Sequence, residues 1–110
     1  MTPSRQVQQI LQDEQSDRFR TNLGLVELSG QPALVEVTAV APDLKAQPTV
    51  TLPLGPNQFV QYGSILNQLG LSNVYNARLA VRVVSSTGRV AGYGCLIDNT
   101  SGDPTYVPSQ

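Results

Sequence analysis

The chain has 110 residues, with 7 Lys and Arg against 8 Asp and Glu, no His, no Trp and one Cys. Charged residues make up 14% of it, whereas about 25% is usual in a soluble domain. The length fits one domain that buries a core without disulfides. Because histidine is absent, zinc hydrolase, Ser-His-Asp and Cys-His mechanisms have no candidate residues, and we expect no enzyme activity and no cofactor.

Charge and hydropathy also limit the partners. The net charge is -1 and the basic residues are scattered along the chain, so no positive patch of the kind that binds DNA or RNA is expected. No segment is long and apolar enough for a membrane span, and residues 1–9 lack the apolar core of a signal peptide. We expect a protein partner or self-association, in preference to nucleic acid, membrane insertion or a small-molecule ligand.

The turn residues predict an all-β fold. Gly, Pro and Asn recur at short intervals, and the segments between them are rich in Val, Leu and Thr. This rhythm is typical of an immunoglobulin-like antiparallel β-sandwich, with about seven strands. One short helix is predicted near residues 60–69, because Ile65 and Leu69 share one helical face and Gly70 follows as a C-cap.

The pattern leaves two structures open for residues 4–12. Val7 and Ile10 have the spacing of one helical face, yet they also fit a short edge strand. We therefore divide the chain into an N-terminal extension, residues 1–16, which is an edge strand or a short helix, and a single β-sandwich domain, residues 17–110. As a detached strand, residues 4–12 would add to an open sheet edge of another copy, and the chain would be a self-assembling structural subunit.

Alternating side chains define the main strands. They are predicted at residues 20–28, 33–40, 49–54, 77–84, 89–98 and 105–107. Turn residues predict two hairpins, one through residues 29–32 and one through residues 85–88. Pro53 favours either an edge position for its strand or the end of that strand. Cys95 is interpreted as a buried strand thiol, since no Lys or His lies nearby in sequence to activate it.

The loop at residues 98–104 is the strongest candidate for a metal or ligand site. Its oxygen-bearing side chains, with Asp98, Asn99, Ser101 and Asp103 as weak candidates, are of the type that binds calcium. The loop lacks the spacing and the closing Glu of an EF-hand, and Asx-turns use the same residue types. We interpret it as a structural turn and keep calcium or ligand binding as an alternative.

Charges near the start of the domain lead to two further expectations. Arg20 opens an almost uncharged strand, so we expect it at the rim of the sandwich with Asp98 or Asp103 as its partner.

Asp13, Glu14 and Asp17 supply carboxyls of the kind that glycoside cleavage needs. Nothing predicts a cleft, and 4 Tyr with 2 Phe leave little aromatic surface for a sugar. These three carboxylates are therefore assigned to a solvated loop.

Two segments carry a family resemblance. They are FRTNLGLVELSGQPA at residues 19–33 and AGYGCLIDNTSGDPTYVP at residues 91–108. The chain resembles β-sandwich modules of bacterial secreted or cell-surface proteins that open on RTNLG, have tLpLGp in the middle and end on DNxSGDPtyvP. The resemblance implies a secreted or cell-surface location and a non-catalytic accessory or interaction module. The motif residues that it carries over as structural are Arg20, Asn22, Asp98, Asn99, Gly102 and Asp103.

Overall fold

The computed structural model describes residues 7–42 and 47–110. These residues form eight strands and one short helix. In chain order the elements are β1 (Gln8–Gln15), β2 (Phe19–Glu27), β3 (Ala33–Val40), β4 (Thr49–Leu54), β5 (Phe59–Tyr62), α1 (Ile65–Gln68), β6 (Val74–Val83), β7 (Val90–Asp98) and β8 (Pro104–Pro108). No helix among the described residues is long and apolar enough to span a membrane.

The strands form two antiparallel sheets of four. Sheet one has the order β1-β6-β3-β4, and sheet two has the order β5-β2-β7-β8. Both sheets contribute apolar side chains to one core, whose fully buried members include Ile10, Leu23, Leu25, Val35, Val37, Leu79, Val81 and Val90. The prediction of an all-β, antiparallel, β-sandwich-like fold with one short helix is confirmed. The number of strands is eight, one more than the approximate count that the turn rhythm predicts.

Both predicted hairpins are wrong. The strands β2 and β3 lie in different sheets, and so do β6 and β7. The segments 28–32 and 84–89 therefore cross from one sheet to the other. Side-chain alternation identifies a strand, but it carries no information about which strand lies beside it. Here β2 pairs along its whole length with β7, from Phe19 opposite Asp98 to Glu27 opposite Val90.

The predicted helix is shorter than expected. Residues 59–62 form β5, which pairs with β2, and only Ile65–Gln68 is helical. Alternation explains the difference, since Val60 packs against the core and its neighbour Phe59 is exposed. The prediction for β4 is correct: this strand, which contains Pro53, lies at an edge of sheet one.

Residues 8–15 form an edge strand within their own chain. The strand β1 pairs with β6, and its register is interrupted between Ile10 and Asp13 and again between Asp13 and Gln15. Gln12, at the first interruption, has a positive φ of 59°. A bulge of this kind adds a residue and changes which side chains face the core, so both Ile10 and Asp13 point inward. Residues 1–6, which include the first part of the predicted segment 4–12, lie outside the described residues.

Two glycines of β7 lie close to core side chains, Gly94 to one of β1 and Gly92 to one of β2. A Cβ on Gly94 would lie 2.7 Å from Ile10 Cγ2, and a Cβ on Gly92 would lie 3.2 Å from Leu25 Cδ2. The chain therefore needs glycine at position 94 for the edge strand of sheet one to pack closely on the middle of sheet two.

Candidate functional site

Residues 16–20 and the 98–104 loop meet at one rim of the molecule. The backbone N–H of Asn99 donates to the carbonyl oxygen of Arg18 at 2.7 Å. Its side-chain Nδ2 donates to the carbonyl oxygens of Ser16 and Asp17, at 3.3 Å and 3.2 Å. The end of β7 is thereby fixed to the turn between β1 and β2.

The predicted partner of Arg20 is wrong. Its guanidinium donates to Asn99 Oδ1 at 2.6 Å, and neither Asp98 nor Asp103 accepts from it in the described chain. Asp98 is directed elsewhere because its carboxylate is used inside its own loop. The pair of Arg20 and Asn99 serves the fold, since it joins the start of β2 to the loop that follows β7.

The 98–104 loop has the hydrogen bonds of a structural turn. Asp98 Oδ1 accepts from the backbone N–H groups of Thr100 and Ser101, at 2.8 Å and 3.3 Å. Ser101 Oγ accepts from the N–H of Asp103 at 3.2 Å. Gly102, with a φ of 79°, donates its N–H to the carbonyl of Asp98 at 2.7 Å. Of the four weak candidates for metal ligands, Asp98 and Ser101 therefore bind backbone amides of the loop, and the side chain of Asn99 binds Arg20 and the carbonyls of Ser16 and Asp17.

Asn22 also has a structural contact. Its Oδ1 accepts from the backbone N–H of Ser64 at 2.9 Å, and Ser64 has a left-handed φ of 47°. This bond holds the start of α1 against β2.

The prediction that Asp13 lies in a solvated loop is wrong. This side chain is 1% exposed, because the bulge at Gln12 turns it toward the core. Glu14 lies in β1 and accepts from Ser16 Oγ at 2.6 Å, whereas Asp17 is exposed in the following turn. The three carboxylates do not form a pair across a cleft.

Asp13 is buried without a hydrogen-bond partner for either carboxylate oxygen among the described residues. Burial raises the pKa of Asp13 to about 8, and the backbone at Leu79 lowers it by less. A pKa above 7 favours the protonated carboxyl at neutral pH, since the ionised form would lose its hydration and the backbone at Leu79 offsets that loss only in part.

Glu27 is the opposite case of a buried carboxylate. It is 0% exposed, and six donor groups surround it. They are the N–H groups of Ser29, Gly30, Gln31, Asn57 and Arg89 and the hydroxyl of Ser29, at 2.6 to 3.2 Å. Burial raises the pKa of Glu27, but hydrogen bonds from Ser29, Arg89 and Asn57 outweigh it and hold the pKa well below its usual range. This carboxylate ties three loops together at one end of the sandwich.

The outward side of sheet two carries the most distinctive surface of the described chain. We call it the aromatic face and define it by the outward side chains of Val26, Phe59, Tyr93, Cys95 and Tyr106. Phe59 is 54% exposed and Tyr106 is 55% exposed. The register places them in four adjacent strands, with Val26 opposite Phe59 and Cys95 opposite Tyr106.

The three rings form a continuous row. The centroids of Phe59 and Tyr93 are 6.3 Å apart, with 13° between the ring planes. The centroids of Tyr93 and Tyr106 are 5.6 Å apart, with 35° between the planes. The ring of Tyr93 lies over Gly24, where any Cβ would collide with it. Glycine at position 24 therefore allows the central ring to lie close to the backbone of β2.

Charge is confined to the ends of the aromatic face. Among the outward positions of β5, β2, β7 and β8, Arg20 is the one charged residue, and it is bound to Asn99. Arg89 lies just outside the other end of the face, before β7 begins. The middle of the face carries no charge, and its polar members are Asn22, opposite Cys95, and the exposed Gln61, opposite Gly24.

This surface was not predicted from the sequence. The three rings belong to β5, β7 and β8, and only the strand order brings them together. The interpretation of Cys95 as a buried thiol is also wrong, because it is half-buried on the outward side of β7. One available signal was Gly92-Tyr93-Gly94, where a bulky ring alternates with glycines.

Comparison with known proteins supports the fold alone. No protein-family model matches the chain, and no curated protein matches it. The chain is similar to the crystal structure of Thermotoga maritima 1070, with a TM-score of 0.73 and 13% sequence identity. The match covers 100% of this chain and 93% of that one. The two proteins therefore share a fold, and nothing about function follows at this identity.

Proposed function

We propose that this chain is a non-catalytic interaction module of a secreted or cell-surface bacterial protein, similar in role to immunoglobulin-like modules. The resemblance of residues 19–33 and 91–108 to such modules supports the location. We further propose that the aromatic face is the surface that binds a protein partner.

The observation that carries the proposal is the exposure of Phe59 and Tyr106 beside Tyr93. Covering a side chain of this size is worth about 1.5–3 kcal/mol, and Tyr and Phe are enriched in protein interfaces. Contiguous apolar surface on a soluble domain commonly marks a binding site. The two ring pairs support each other's orientation, so the face is ordered before a partner arrives.

The shape of the face favours a protein over a small ligand. Small-molecule sites are concave and contain a few convergent polar groups. The aromatic face lies on the outside of a sheet, and beside its rings lie the apolar side chains of Val26 and Cys95 and the uncharged polar side chains of Asn22 and Gln61. Larger depressions lie elsewhere, with volumes of about 490 Å³ beside Leu11 and Arg78 and about 340 Å³ beside Leu71 and Tyr75.

Selection of binding peptides from a random displayed library tests this function. We expect selected peptides to be rich in apolar and aromatic residues and to lose binding to the double variant Phe59→Ser, Tyr106→Ser. The matched control is Leu34→Ser, Val84→Ser, which removes one side chain of β3 and one directly after β6, each 41% exposed. Peptides that bind the first variant as well as the unaltered chain would refute the proposal.

A further inference from the structure

We propose that the protein partner binds as a fifth strand of sheet two, through an extended, uncharged segment that forms backbone hydrogen bonds with the outer edge of β5. This inference rests on the proposed function, since it describes how a partner binds beside the aromatic face. Phe59 belongs to both surfaces, because its exposed side chain lies on the aromatic face and its backbone lies in the edge strand.

The register of β5 determines which of its backbone groups are free. The N–H of Glu27 in β2 donates to the carbonyl oxygen of Gln58 at 2.9 Å, and β5 continues from there opposite β2. In an antiparallel ladder, successive residues direct their backbone groups alternately toward the neighbouring strand and away from it. The N–H and carbonyl groups of Phe59 and Gln61 therefore point away from β2, and no hydrogen bond within the described chain uses them.

The opposite edge of sheet two has proline at the equivalent positions. The N–H of Asp98 in β7 donates to the carbonyl oxygen of Asp103 at 3.0 Å. The same alternation then directs the backbone groups of Pro104, Tyr106 and Pro108 away from β7. Because proline has no N–H, β8 lacks donors at two of these outward positions. The sequence of β5, by contrast, contains no proline.

Both edges of sheet one are also obstructed. The N–H of Ala39 donates to the carbonyl oxygen of Pro48 at 3.0 Å, and alternation from there places Pro53 at an outward position of β4. On β1, the outward groups of Gln9 are bound to Gln110, and the register is interrupted twice. Proline, bulges and covering segments are the usual means of protecting a sheet edge. Of the four edges in the described chain, β5 is the one that carries none of them.

The side chains of β5 define the chemistry of the added segment. Successive side chains of a strand point to opposite faces of the sheet. On the inner face, an added strand would lie beside Val60 and Tyr62, which pack against the core. On the outer face, it would lie beside the exposed Phe59 and Gln61. Apolar and aromatic cross-strand pairs stabilise a sheet, and residues 55–64 contain no charge, so we expect an extended segment that is mainly apolar and uncharged.

N-methylation of a peptide selected from the displayed library tests the backbone contact directly. Methylation removes one backbone N–H of the peptide and leaves its side chains in place. At the alternate positions that face β5, it should weaken binding about tenfold or more. At the intervening positions, whose N–H groups point to solvent, it should have little effect. Hydrogen exchange at Phe59 and Gln61 should also slow severalfold when the unmethylated peptide binds.

Gln61→Pro removes a matching donor from the protein. The fold should survive, because the N–H of Gln61 takes no part in the ladder with β2 and proline is tolerated at such edge positions. Binding of the selected peptide should weaken about tenfold. The matched control is Gln61→Ala, which keeps the N–H and should bind nearly as well as the unaltered chain. Circular dichroism verifies the fold, and if Gln61→Pro does not fold, the methylated peptides decide the question on the unaltered chain.

Three results would overturn the inference. The first is an effect of methylation that does not alternate along the peptide, and the second is equal binding of folded Gln61→Pro and Gln61→Ala. The third is a chain that dimerises alone in sedimentation equilibrium and becomes monomeric as Gln61→Pro, since a second copy would then occupy the edge. If any of these occurs while peptides still lose binding to Phe59→Ser, Tyr106→Ser, strand addition by a partner is wrong and the proposed function stands. Peptides that bind that double variant unchanged refute the proposed function, whatever the methylation pattern.

Discussion

Gln9 and Gln110 exchange two backbone hydrogen bonds, in which the N–H of each donates to the carbonyl oxygen of the other at 2.8 Å. Gln9 lies in β1 at the edge of sheet one, and Gln110 follows β8 at the edge of sheet two. The contact therefore joins the two sheets along one side. It also occupies the outer side of β1, which a strand from another copy would otherwise meet.

Removing Gln110 should destabilise the chain. Two backbone hydrogen bonds contribute about 1–3 kcal/mol together, and their loss also frees the start of β1. Urea unfolding measures the change, and hydrogen exchange should show faster exchange at Gln9. Gln110→Ala is the control, because it keeps both backbone bonds and should be nearly neutral. Equal stability of the truncated and unaltered chains would show that the contact contributes nothing.

Glu27→Gln should be among the most damaging single substitutions. The amide would place an N–H₂ group against donors that all need an acceptor, and it would remove the charge that those donors stabilise. Thermal unfolding should show a loss several times that of Glu36→Gln. The latter breaks an exposed pair with Arg82 at 3.1 Å, of a kind worth about 0–1 kcal/mol.

The low pKa of Glu27 also predicts acid sensitivity. A carboxylate whose folded pKa is below its unfolded value, about 4.5, adds stability that is fully present above pH 4.5. That stability is lost as pH falls further, through the folded pKa. Unfolding curves between pH 6 and pH 2 should therefore slope less in Glu27→Gln than in the unaltered chain. Parallel slopes would contradict the assignment.

Asp13→Asn should stabilise the chain at pH 7 and above. The pKa of Asp13 rises from 3.8 to about 8, so its stability contribution is highest below pH 3.8 and is lost as pH rises toward 8. Asparagine has no proton to lose, and we expect a gain of roughly 1–4 kcal/mol at pH 7. Unfolding midpoints at pH 4 and pH 8 test this. A substitution that destabilises equally at both pH values would contradict it.

Gly94→Ala should loosen β1. Its new methyl group would lie 2.7 Å from Ile10 Cγ2, and overpacking of this kind costs about 1–3 kcal/mol. Gly55→Ala is the control, since its Cβ would have only Gln58 Oε1 nearby, at 3.5 Å. Urea unfolding of both variants separates the crowding from the general effect of replacing glycine. An equal change in the two would show that the approach of β1 to β7 is not tight.

Local patterns predict the strands because side-chain alternation reflects burial on one face. In β3, for example, Val35 and Val37 are buried and Leu34 is exposed. Pairing is a long-range property, and the wrong hairpins through residues 29–32 and 85–88 follow from assigning partners by proximity in sequence. The bulge at Gln12 has no local signal either, so the inward turn of Asp13 could not be predicted.

The candidate surface was less predictable than the fold. Its rings come from separate strands, and their assembly depends on the order of β5, β2, β7 and β8. Glu27 did carry a signal, because alternation places it on the same side of β2 as Leu23 and Leu25, which are buried. A charge on such a side requires several hydrogen bonds, and the loops at Ser29, Asn57 and Arg89 supply them.

The location of the binding surface is the central claim, and backbone amide NMR shifts on addition of a selected peptide test it most directly. We predict that the shifts concentrate on outward positions of sheet two, around Gly24, Val26, Phe59, Tyr93 and Tyr106. Shifts that instead concentrate on the 98–104 loop or on the outer side of sheet one would contradict the claim.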